Sequence, residues 1–141
     1  MKNVFALLLG LFLFTSCEKE GDLTKKSLEN DMIGSEAVLK YSGEFLPTSG
    51  ITVSGFAKIY LENNTYKVKL ENFAVSDGPD LKVYLCKENT PINFVNLGDF
   101  KGNGNTFYTV PAGVNLSEYQ YVLIHCQQYN LLFAIAQLTS I

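Results

Sequence analysis

Three cysteines and one histidine are the side chains in this sequence with the most chemistry to offer: Cys17, Cys86, Cys126 and His125. A thiol can be acylated, can pair in a disulfide, or can exchange electrons when it is accessible and partly ionised. Cys126 follows His125 directly. In a strand, neighbouring side chains point to opposite faces, so adjacency does not make an imidazole–thiolate pair. One histidine is too few for a three-ligand catalytic zinc or a bis-histidine haem. Copper held by His125 and Cys126 fails on the same parity unless a bulge intervenes. No metal and no cofactor is expected. Asp77 and Asp80 flank Gly78 and Pro79 in a turn with too few oxygens for calcium, and their carboxylates are expected to bond local backbone. The glycines of Gly102-Asn103-Gly104 are not followed by a helix, the setting in which such loops cradle phosphate. The lone histidine sits in an apolar closing region and no Ser–His–acid arrangement is visible. The chain is therefore expected not to be an enzyme.

Cys17 stands apart from the other two. Lys2 precedes an apolar run over residues 4–14, which is too short for the roughly 20 residues that span a bilayer. It has the length of a signal-peptide core. The run closes on Phe14-Thr15-Ser16-Cys17, which resembles the lipobox of bacterial lipoproteins, with Phe where Leu is commoner. That resemblance implies cleavage before Cys17 and fatty acylation, palmitate among the acyl groups, on its thiol. Each buried CH₂ adds about 0.8 kcal/mol, so several chains hold far better than one. The expected organisation is a signal peptide over 1–16, a lipidated cysteine and charged spacer over 17–36, and one domain over 37–141. The expected location is the cell envelope, at the outer membrane, with either face open. The lipid anchor makes the membrane one partner; an envelope protein or glycan is the other class expected.

A net charge of −3 without a basic cluster argues against nucleic acid. Aromatics are dense, with Tyr 8, Phe 10 and no Trp, a composition suited to strands. The elements that must position Cys86 and Cys126 are accordingly β. Over 65–73, Tyr66, Val68 and Leu70 alternate with Lys67, Lys69 and Glu71, which predicts one buried and one wet face. Leu81, Val83 and Leu85 alternate with Lys82, Tyr84 and Cys86 in the same way. Further strands are expected over 38–45, 52–61, 93–97, 106–110, 121–126 and 131–138. Tyr121-Val122-Leu123-Ile124 is apolar at every position and should be central, covered on both faces. Glu62-Asn63-Asn64-Thr65 reads as a hairpin turn. Regular short strands without a long helix predict an antiparallel β-sandwich of about eight to ten strands.

Three segments in order resemble the DM13 domain family. Residues 71–85 read ENFAVSDGPDLKVYL and carry Gly78, Pro79, Asp80 and Leu81 of its "GPDL-x-VYL" pattern. Residues 97–102 and 108–111 resemble the "LG-x-L-K-G…Y-x-(I/V)-P" middle, with Gly98 and Pro111. Residues 121–138 match its cysteine-containing close. The resemblance implies a small β-sandwich with a role in redox or electron transfer, resting on a characteristic cysteine that is Cys126 here. His125 stands where many members have an aromatic, and Ile51 where many have a histidine, which weakens a metal or haem reading. Three states of the remaining thiols stay open: a reactive Cys126, a buried inert Cys126, and a Cys86–Cys126 disulfide.

Overall fold

The structure, a computed structural model, describes residues 33–141. The expected signal peptide over 1–16, the lipidation site Cys17 and the spacer up to residue 32 lie outside the described residues. The strands are β1 (Val38–Pro47), β2 (Val53–Glu62), β3 (Thr65–Val75), β4 (Leu81–Cys86), β5 (Phe94–Asp99), β6 (Gly104–Thr109), β7 (Tyr121–Cys126), β8 (Leu131–Gln137) and β9 (Thr139–Ser140). All pairings are antiparallel, in the order β5-β4-β7-β8-β1-β2-β3-β6 with β9 beside β1. Among the described residues there is no helix. The expected β-sandwich is what the chain forms, with β5 touching β6 so that the sheet nearly closes on itself.

The two layers share β1. Its residues 38–44 pair with β2, while 45–47 pair with β8. The change of partner happens beside Gly43, where an added Cβ would stand 2.1 Å from the Gln137 carbonyl oxygen. Only a residue without a side chain lets β8 pass that close before β9 takes its place on Tyr41 and Ser42. The β2–β3 hairpin turns on Asn63 and Asn64, both at positive φ (48° and 60°), the geometry of a two-residue turn that matches strand twist.

Between the layers lies one core. Phe45, Ile59, Val68, Leu70, Phe73, Val83, Leu85, Val122, Ile124 and Cys126 are all buried in it. Phe73 is its aromatic centre, edge-on to Phe45 at 4.7 Å and to Phe100 at 5.5 Å. The alternation in β3 holds: Val68 and Leu70 are buried, while Lys67 and Lys69 face outward and pair with Glu62 and Glu71. The same reading does not hold for β4. Tyr84 and Cys86, expected on a wet face, are buried in a second cluster with Leu123 on the outer side of the sheet. Period two identifies the two faces of a strand, but not what covers the second one.

Candidate functional site

Strand register fixes the two cysteines that the sequence singled out. In the β4–β7 pair, Leu81 lies opposite Cys126 and Cys86 opposite Tyr121. The cysteines thus occupy opposite ends of one ladder, five residues apart along the strand, roughly 17 Å at the usual rise. They also face opposite ways: Cys126 belongs to the main core and Cys86 to the outer cluster. A disulfide needs Cα atoms within about 7 Å. The Cys86–Cys126 disulfide entertained from the sequence is therefore corrected: both thiols are free.

Each thiol has a distinct setting. Cys126 ends β7 beneath the exposed turn at 127–130, with none of its surface open to solvent (0 %). It belongs to the main apolar core. Cys86 ends β4 at the other end of the domain, also at 0 % exposure. Its Sγ lies 3.0 Å from the carbonyl oxygens of both Thr90 and Ile92, so the 87–93 loop folds down over it. Burial pushes the Cys86 thiol above its ordinary value. Such a thiol behaves as a small packed hydrophobe with a weak donor.

His125 turns to the face opposite Cys126, as strand parity requires. Its ring is buried, and Nε2 lies 3.1 Å from Oδ1 of Asn130 in the β7–β8 turn. With that carbonyl oxygen as acceptor, Nε2 carries the proton and Nδ1 keeps a lone pair. Nδ1 has no partner in the protein. Burial holds the imidazole below its ordinary pKa, with the Asn130 contact acting weakly the other way. Tyr84 lies beside it, ring centroids 5.6 Å apart, and stacks on Phe94 at 4.0 Å. The covering of Leu123 by Tyr84, itself stacked on Phe94, was missed in the sequence, where the alternation puts Tyr84 on a wet face. The aromatic in Val83-Tyr84-Leu85 was the available signal, since a solvated strand face carries polar residues there.

Of the motif residues, Gly78, Pro79, Asp80 and Leu81 line a shallow open groove with Asp99 and Phe100. Lys82 fills its charge requirement by pairing with Asp80 at 2.9 Å and with Asp99. These two carboxylates raise the Lys82 pKa above its ordinary value, so the groove already holds its cation. Gly98 takes a positive φ of 121° beside the β4–β5 irregularity at Val83 and Tyr84, and Pro111 lines a separate cleft next to Tyr66. Among the described residues, no three of His, Cys, Asp and Glu gather to hold a metal ion.

A family model described as "Electron transfer DM13" matches residues 46–138, about two thirds of the chain. No curated protein and no solved structure gives a match.

Proposed function

The chain belongs to the DM13 family, and from that premise we propose that it is a non-enzymatic cell-envelope lipoprotein whose domain takes part in electron transfer. In this reading residues 1–16 are removed, lipid on Cys17 holds the chain at the outer membrane, and Cys126 is the redox-active thiol. The observation that carries it is the electron-transfer family match together with a free, unpaired Cys126. A buried thiol reacts only when the structure opens locally. Cys126 is the last residue of β7, next to an exposed turn, and strand ends open at lower cost than strand centres. Once exposed, its thiolate can attack a partner's disulfide, forming a mixed disulfide and releasing the partner's second sulfur as thiolate.

A second reading has its own observation. Both thiols are wholly buried, which favours a binding or structural module for an envelope protein or glycan, with cysteines that only pack. Thiol labelling of a Cys86→Ser variant of the mature chain, with Cys17 acylated, separates the two. Redox use of Cys126 requires labelling in the native state at a rate faster than global unfolding. Labelling that only keeps pace with global unfolding assigns the cysteines to packing and leaves the binding reading.

A further inference from the structure

We propose that Asn103 is a site of spontaneous covalent modification, converting through a cyclic imide with Gly104 into a mixture of aspartate and isoaspartate. Ring closure needs an asparagine followed by a residue that neither shields its own amide nitrogen nor resists the backbone rotation that closure demands. Asn103 is the only asparagine in the sequence followed by glycine. Glycine meets both conditions, because it has no Cβ and reaches backbone conformations closed to other residues.

The fold preserves these conditions. Asn103 is exposed, between Gly102 and Gly104 at positive φ of 104° and 109°. A Cβ added at either glycine would meet nothing within 4 Å, so neighbouring elements do not crowd the ring. Gly104 is the first residue of β6, where the ladder to β3 jumps from Leu70 to Phe73. Strand ends open at lower cost than strand centres. Asp77-Gly78, the other acid-or-amide–glycine pair in the motif region, shows the contrast. A Cβ at Gly78 would stand 2.7 Å from the Leu81 side chain and 3.0 Å from that of Phe133. That glycine is packed; Gly104 is not.

Val75 adds a chemical element. Its backbone N–H donates to Oδ1 of Asn103 at 3.2 Å, and the Asn72 N–H donates to Oδ1 of Asn105 at 3.0 Å. Two asparagine side chains thus serve donors of β3 around its irregularity. At Asn103 the same bond draws electron density from Cγ. It also faces the oxygen on which negative charge grows during attack, the place of an oxyanion donor.

The reaction balances with water alone. The Gly104 nitrogen gives up its proton to solvent and bonds to Cγ of Asn103. The bond from Cγ to the side-chain nitrogen breaks, and that nitrogen takes up a proton and leaves as ammonia. Water then opens the ring, and no electrons are exchanged. Opening at Cγ gives aspartate; opening at the main-chain carbonyl of residue 103 gives isoaspartate. Each event adds one negative charge, which separates both products from the parent on ion exchange.

The test follows every asparagine in the purified full chain, folded, in buffers of pH 6 and pH 8 made with oxygen-18 water. Peptide mapping by mass spectrometry, with isoaspartate resolved by fragmentation, reads the products. Asn103 is expected to convert faster than any other asparagine by about tenfold or more. Conversion should be faster at pH 8 and give both products, each carrying one heavy oxygen. Aspartate alone at position 103 overturns the proposal, because direct hydrolysis needs no ring. Earlier conversion at another asparagine overturns it too. So does a folded rate more than about tenfold below that of the same chain in urea, since the fold would then hold the amide away from Gly104.

Discussion

Cys86 and Cys126 close opposite ends of the same β4–β7 ladder, Cys86 opposite Tyr121 and Cys126 opposite Leu81, and they point to opposite sides of the sheet. No rotamer change joins them, because both the spacing along the strand and its parity oppose a bond. In an oxidising compartment two leftover cysteines commonly pair, and this fold prevents it by geometry. The expected outcome is an unchanged thiol count before and after reduction. Quantitative alkylation in denaturant, with mass spectrometry of the Cys86 and Cys126 peptides, checks it. A cross-linked peptide from monomeric protein would contradict the register.

Gly43 gives a second test of the fold. The sandwich depends on β1 changing partners, and the Gln137 carbonyl passes within 2.1 Å of where a Cβ at position 43 would sit. The obstructing atoms are backbone, so nothing swings aside cheaply. Gly43→Ala is expected to destabilise by about 3 kcal/mol or more, at the upper end of overpacking effects. Gly102 is the control: it has a positive φ of 104° but open space around the missing Cβ. Gly102→Ala should cost only the backbone strain, about 1–2 kcal/mol. Urea midpoints of the two variants rank the effects, and a milder Gly43→Ala would show that β8 can withdraw.

The outer cluster predicts a coupling. Tyr84 stacks on Phe94 with rings 13° from parallel and centroids 4.0 Å apart. Stacked aromatic pairs add about 0.5–1.5 kcal/mol beyond the area they bury. A double-mutant cycle with Tyr84→Leu and Phe94→Leu should return a coupling energy in that range. A value near zero would mean the rings merely share a face.

The strands were legible because each carries its own local signal. β4 and β7 run over the residues their pattern indicated, and Asn63-Asn64 turned where the hairpin chemistry required. β9 was missed because two residues, Thr139 and Ser140, carry no period at all; only the space left beside Tyr41 and Ser42 recruits them. The relation between Cys86 and Cys126 was not legible, because it depends on which strands become neighbours, and non-local pairing leaves no trace in spacing. His125 was legible in direction but not in environment. Parity placed it opposite Cys126, whereas its burial comes from Tyr84 on another strand and Asn130 in the following turn.

That burial has a consequence in pH. His125 sits below its ordinary value of 6.5 in the folded protein because burial disfavours the imidazolium. In the unfolded chain it titrates near 6.5. Above pH 7 both states hold it neutral and it makes no difference to stability. As pH falls through 6.5 the unfolded chain takes up a proton that the folded protein refuses, so stability is lost until pH reaches the folded pKa. One proton limits the slope to at most about 1.4 kcal/mol per pH unit. Glu62 and Glu71 also have depressed values, from their lysine partners, but their contribution is lost only as pH falls below about 4.5, their ordinary value. The His125 window therefore opens at a higher pH than the carboxylate one. His125→Leu should flatten the stability profile just below pH 6.5 while leaving the carboxylate limb in place. Because Nδ1 has no partner to lose, the variant should also cost little at pH 7.5, about 1 kcal/mol or less, chiefly the Asn130 hydrogen bond. Urea titrations at half-unit pH steps, on the native chain and the variant, measure both effects. A native profile that stays flat as pH falls through 6.5 would show that the imidazole gains a proton without leaving its site, and that water reaches Nδ1.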